Sequence, residues 1–200
     1  GFFNKLPFYP DDAKQVFDFD FNIKAVVSIA PVDGQYKPGN VSTPLKDVNY
    51  LVIHGANDGD VQSFAGLRQY ERLEFSDSTD YFKSAVYVYG ANHGQFNTTW
   101  GNRDSGFPFG SLLNVDALIP MEDQLQIGKI YISAFLQATL QGKTAYAPLF
   151  KDHRAGEKWL PETIYLNQYQ SSDWQLLADF EEDLDLTTTS SMGQITTENL

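Results

Sequence analysis

A chain of 200 residues with 42% hydrophobic and 20% charged side chains is long enough for one substantial core and too short for two complete domains of average size. Fourteen Lys and Arg against 26 Asp and Glu leave a net charge of −12, which argues against nucleic acid and anionic membrane surfaces as partners, since both need clustered basic side chains. No apolar run approaches the roughly 18 residues of a membrane span, and the absence of cysteine excludes disulfides, thiolate metal sites and a Cys nucleophile while leaving the compartment open.

The chain opens on Gly1-Phe-Phe-Asn4 without Met or a leader and closes on an extended-looking Gln194–Leu200, so both ends read as cut from a longer protein. Phe2–Tyr9, with Pro7 and Pro10, fits the last turn of a helix followed by a loop, and Asp11–Phe21 a connection. Ile23–Ala30 is apolar and partly β-branched, the pattern of a buried parallel strand, and it stops at the turn signal Pro31-Val-Asp-Gly34. Tyr50–His54 repeats the pattern and is closed by Gly55. Phe64, Leu67, Tyr70, Leu73 and Phe75 then recur at mainly three-residue intervals, which predicts an amphipathic helix. Ala85–Tyr89 is the third strand. A Gly-, Asn- and Pro-rich loop over 97–120 leads to a second helix, Met121–Leu140, with Met121, Leu125, Gly128, Ile132, Phe135 and Leu136 on one stripe and Gly142 as its stop. Alternating strands and helices predict an α/β class with a parallel sheet.

From Pro161 the composition turns β-prone, through Thr163–Tyr169 and Trp174–Leu186, which reads as a linker and the start of a separate all-β unit with its boundary near residue 160. The domains expected are therefore 1–160 and 161–200. The acidic stretch Asp179–Asp185 has the hard oxygen ligands calcium takes, but it lacks a Gly-centred loop and reads more readily as a solvated strand edge.

In open parallel sheets function gathers beyond the carboxyl ends of the strands, and all three strands deliver candidates there: Asp33 after the first, His54, Asp58 and Asp60 after the second, His93 after the third. His93, within Gly90-Ala-Asn-His-Gly94, is the candidate general base, its flanking glycines allowing a tight loop and an accessible ring. Asp58 is the preferred acid partner, able to accept from the imidazole Nδ1–H and fix its tautomer. Asp60 competes, but reads better as an acid favouring a helix N-terminus. His54 is expected to bond to backbone and His153 to lie on the surface. No zinc spacing and no phosphate-binding glycine loop occurs, so neither metal nor cofactor is expected.

The segments Leu51-Val-Ile-His-Gly-Ala-Asn-Asp58 and Val86-Tyr-Val-Tyr-Gly-Ala-Asn-His93 resemble the acid and histidine loops in the C-terminal half of the α/β-hydrolase fold, particularly its serine esterases and lipases of the cutinase-like and dienelactone-hydrolase-like kinds. The resemblance covers residues 1 to about 150. It implies that Ala25–Asp33 is the preceding strand with an exit loop bordering the substrate pocket, that the helix from Met121 closes the sheet, and that Asp58 and His93 belong to a Ser-His-Asp triad acting on small-molecule, lipid or polymeric esters. The family's nucleophile sits in Gly-x-Ser-x-Gly, which is absent; Ser105 follows the histidine and is excluded by chain order. The serine and the oxyanion hole are thus expected upstream of Gly1, and the 200 residues alone are expected to be inactive. Asp33, Gln35, Tyr36, Phe96 and Trp100 are candidate pocket walls. The rival readings are a noncatalytic binding module of the same fold, an Asp-nucleophile relative with haloalkane or epoxide chemistry, and a C-terminal carbohydrate-binding jelly roll announced by Leu177–Asp183. An appended β unit points toward export, to the periplasm or outside the cell.

Overall fold

The computed structural model describes residues 21–34, 42, 45–76, 80–106 and 108–174. Its elements, in chain order, are β1 (Ala25–Ile29), β2 (Asn49–Gly55), α1 (Ala65–Arg72), β3 (Phe82–Val88), α2 (Met121–Leu140), α3 (Pro148–Lys151) and β4 (Tyr165–Ser171). The strands form one open sheet in the order β1-β2-β3-β4. β1, β2 and β3 run parallel, and β4 joins β3 antiparallel, with Val88 opposite Tyr165 and Phe82 opposite Ser171. The class is α/β, with a mixed sheet in place of an all-parallel one.

Every residue of β2 is buried, because the strand lies between helices on both faces, which is why its sequence is an almost unbroken apolar run. Tyr50 and Val52 pack on one side with Tyr70 and Leu73 of the α1 segment, while Leu51 and Ile53 pack on the other with Ile127, Tyr131 and Phe135 of α2. On the α2 side the rings of Phe82, Phe135 and Phe150 meet at centroid separations of 5.3–5.9 Å. This three-layer packing brings the exit loops of the parallel strands to one edge of the sheet.

Besides β1, which at the end of the described sheet is half-buried to exposed over Ala25–Ile29 instead of buried over Ile23–Ala30, four local expectations change. β3 begins at Phe82, three residues before the apolar run, because Lys83 and Ser84 are buried in it. The Lys83 ammonium donates to the carbonyls of Tyr70 (2.9 Å) and Leu73 (2.8 Å) at the end of α1, where helix carbonyls run out of intrahelical donors, and burial lowers its pKa. α1 is shorter than the period suggested, since Glu74 leaves the helix to bridge Lys46 in extended conformation. The buried line of α2 runs through Gln124, Ile127, Gly128, Tyr131, Ala134 and Phe135, so of the expected stripe Gly128 and Phe135 face the core while Leu136 is exposed. The apolar residues of this helix surround its axis and leave the phase to tertiary contacts.

The fourth change concerns the C-terminal segment. Tyr165–Ser171, read from sequence as the opening of a separate β unit, is the edge strand of the α/β sheet. Asn167 holds it there through its side-chain amide, which donates to the Leu149 carbonyl at 3.2 Å. The acidic stretch 179–185, the carbohydrate-binding reading of 177–183 and the N-terminal segment 1–20 lie outside the described residues.

Helix α1 docks on the sheet through Gly66, where a Cβ would stand 2.5 Å from His54 Nε2 and 2.6 Å from Val52 Cγ2. Helix propensity alone favours Ala over Gly by about 1 kcal/mol, whereas overpacking costs ~1–3 kcal/mol or more. Gly66→Ala is therefore expected to lower stability by about 1–3 kcal/mol in urea unfolding, and a stabilised variant would show that α1 does not dock this tightly.

Candidate active site

The site lies where the loops after β2 and β3 meet. Gly55 ends β2, and a Cβ there would stand 2.3 Å from the Ala91 carbonyl oxygen. The loop roots are tied by Ala56 N–H to Val88 O (2.9 Å), Asn57 N–H to Ala91 O (2.8 Å) and Gly90 N–H to Asn57 Oδ1 (3.0 Å). Gly90 turns the second loop at a φ of +74°, a conformation open to glycine at little cost.

From these roots the loops carry Asp58 and His93 toward each other. The His93 Nδ1–H donates to Asp58 Oδ2 at 3.0 Å. Asp58 Oδ1 accepts from the backbone N–H groups of Asp60 (2.9 Å) and Val61 (2.6 Å), so the carboxylate is held on both oxygens. Its side chain is 1% exposed. Burial raises its pKa, opposed chiefly by the Val61 N–H and then by the His93 side chain. Because Nδ1 carries the proton toward Asp58, Nε2 is the basic nitrogen, on a ring that is 17% exposed. The Trp100 indole stacks on the imidazole, 5.7 Å between centroids and 4° from parallel, and Asn97 Oδ1 accepts from the Thr99 and Trp100 N–H groups to present it.

The remaining sequence candidates separate clearly. Asp60 is no helix N-terminal acid: α1 has no acidic residue in its first turn, and the 60% exposed Asp60 carboxylate faces His93 Nε2 at 3.7 Å. Asp33 pairs in bidentate fashion with Arg72 at the end of α1 (Nη1 to Oδ2, 3.0 Å), so it ties the β1 exit to a helix instead of standing free as a pocket wall. Phe96 packs against the α2 core layer near Gly128. Gln35 and Tyr36 lie outside the described residues. His54 is buried and accepts the Gly66 N–H at Nε2 (3.0 Å), and His153 is half-buried against the Tyr165 ring at 5.2 Å. No group of three or more His, Asp or Glu side chains able to hold a metal converges among the described residues, nor is any described helix long and apolar enough to cross a membrane.

Two contributors escape a sequence reading. Gln124 of α2, fully buried, accepts the Asn92 N–H (3.0 Å) and donates to the Asn92 carbonyl (2.8 Å), locking the histidine loop to the helix. Asp104, in the loop beyond Trp100, accepts from Gly59 N–H (2.7 Å) and His93 N–H (3.0 Å) on Oδ2, and from Gly94 N–H (2.8 Å) and the Asn92 side-chain amide (2.8 Å) on Oδ1. Gln124 stands on the buried line of α2 but is polar, and Asp104 lies in a loop with no period to place it. The one available hint was a single carboxylate within the Gly- and Asn-rich stretch 97–115.

His54 makes folding pH-dependent. Burial, and secondarily the charge of His93, hold its pKa down at about 4 against an ordinary 6.5. The unfolded chain therefore binds one more proton between those values, and stability falls as pH drops from 6.5 to 4. The expected loss from this group is on the order of 3 kcal/mol. Urea titrations of wild type and His54→Gln across that window should differ in slope, the variant being flatter; parallel curves would refute a neutral buried His54.

No model of a known protein family matches this chain, and no curated protein matches it, so the reading of the site rests on its own geometry.

Proposed function

We propose that this chain carries the acid and base of a serine esterase of the α/β-hydrolase type, acting on carboxylic esters, with the nucleophilic serine outside the described residues. The observation that carries the reading is the 3.0 Å bond between His93 Nδ1 and a buried, doubly held Asp58 carboxylate, which leaves Nε2 as the basic nitrogen. The placement of the pair on exit loops of neighbouring parallel strands supports it, because α/β sheets gather their chemistry at that edge.

In this mechanism the serine Oγ attacks the ester carbonyl carbon while His93 Nε2 takes the hydroxyl proton. The imidazolium is stabilised by Asp58, whose carboxylate stays ionised through its two backbone donors and accepts the Nδ1–H throughout. Collapse of the tetrahedral adduct breaks the bond to the alcohol oxygen, which receives the proton from Nε2. A water molecule, deprotonated by the same nitrogen, then releases the acid and restores the serine. Trp100 stacks on one face of the imidazole.

The test uses the complete protein, a serine-directed phosphonate probe and a chromogenic short-chain ester. One serine should be labelled, His93→Ala should slow labelling by about 1,000-fold or more, and Asp58→Asn should lower kcat on the order of 10,000-fold with the fold intact. Absence of a labelled serine, or labelling at an unchanged rate in His93→Ala, would overturn the serine esterase and leave its rivals, the noncatalytic module and the Asp-nucleophile relative.

A further inference from the structure

The Asp58–His93 bond joins the tips of two loops whose roots are tied at Gly55 and Asn57, and the tips need a tie of their own. The Asp104 carboxylate stands between them. One of its oxygens, Oδ2, accepts both the N–H of Gly59, the residue after Asp58, and the N–H of His93 itself. Two donors aimed at one oxygen fix the separation of the two backbones. The other oxygen takes Gly94 N–H and the Asn92 amide, so the residues on either side of His93 are held by the same group. The loop that brings Asp104 is anchored in turn, by Gly110 N–H to the Gly106 carbonyl (2.9 Å) and by Arg103 to the Gly110 carbonyl (2.9 Å).

We infer that Asp104 is a positioning residue for the Asp58–His93 pair, a carboxylate clamp that sets the imidazole orientation by holding both loop tips from behind. It touches neither imidazole nitrogen and acts through backbone. The inference rests on the reading of that pair as acid and base, but the clamp itself is a property of the folded chain and can be observed without turnover. A carboxylate suits the place because all four of its partners are donors, and an ionised carboxyl offers acceptors only. An Asn there would present an NH₂ group to N–H groups, and half the clamp would be lost in a side chain of the same shape.

The experiment is nitrogen-15 NMR of the complete protein, following the His93 imidazole and the backbone amides of Gly59, His93 and Gly94. In the wild type these three amides should exchange with solvent together, through one opening, and His93 should show a single Nδ1–H tautomer with a protected proton. Asp104→Asn should mix the tautomers and speed exchange of that proton at least about 10-fold, leaving the His54 signal unchanged, while Asn102→Ala in the same loop should change neither. If Asp104→Asn fails to fold, the wild-type exchange rates still decide: three unrelated or unprotected rates overturn the clamp. A folded Asp104→Asn with an unchanged His93 tautomer and exchange rate also overturns it. Ester turnover then separates this inference from the hydrolase reading. In a protein whose serine is labelled by the probe, Asp104→Asn should lower kcat by about 100-fold, the cost of a small misplacement, with KM changed less than about twofold. A protein with no labelled serine but an intact clamp would refute the enzyme and leave the positioning role standing.

Discussion

The contact of two backbones, Gly55 against the Ala91 carbonyl, is the constraint from which the site follows. Neighbouring parallel strands leave a sheet about 5 Å apart, and their exit loops diverge unless something draws them together. Here the absence of a side chain at Gly55 lets the loops touch, Asn57 supplies both a backbone donor and a side-chain acceptor to the facing loop, and a carboxylate three residues past Gly55 and an imidazole two residues past Ala91 come within hydrogen-bonding distance. A bulkier residue at position 55 would separate the loop roots and with them the pair.

The polar groups around His93 form a continuous network with little water access. Gln124, Asn92 and Gln95 exchange hydrogen bonds behind the histidine loop, with Gln95 also donating to the Ile119 carbonyl. Such networks are rigid when every member is satisfied and costly when one is not. Their orientation is consistent: amide and backbone donors point at both carboxylates, Asp58 against the imidazole and Asp104 against the loop backbone, and neither lacks donors. The exposed Asp60 carboxylate faces the ring on the Nε2 side.

Helix α1 depends on two titratable side chains of the sheet. His54 of β2 accepts its Gly66 N–H, and Lys83 of β3 donates to two carbonyls at its end, so the helix is held near its N-terminal and its C-terminal turn by groups from adjacent strands. Arg72 adds a third tie, to Asp33 beyond β1. Burial favours the neutral form of both His54 and Lys83. The imidazole accepts it by being neutral; the ammonium offsets it with two carbonyls and the Tyr70 ring, 4.7 Å from its nitrogen.

Apolar runs closed by Gly55 and Gly90 were enough to place β2 and the core of β3, since a strand buried on both faces needs an uninterrupted hydrophobic stretch, and the short loops after them put Asp58 and His93 at the same sheet edge. Those determinations are local, which is why sequence made them. Lys83 hid the start of β3 and Gln124 hid the buried face of α2, because a polar side chain in a core is legible only once its partner is known. Tyr165–Ser171 has the composition of any edge strand, and its pairing along the whole of β3 is a long-range contact that composition does not specify. Asp104 lies furthest from sequence reach: its role is to receive four N–H groups from two other loops, and only the tertiary structure brings those donors to one carboxylate.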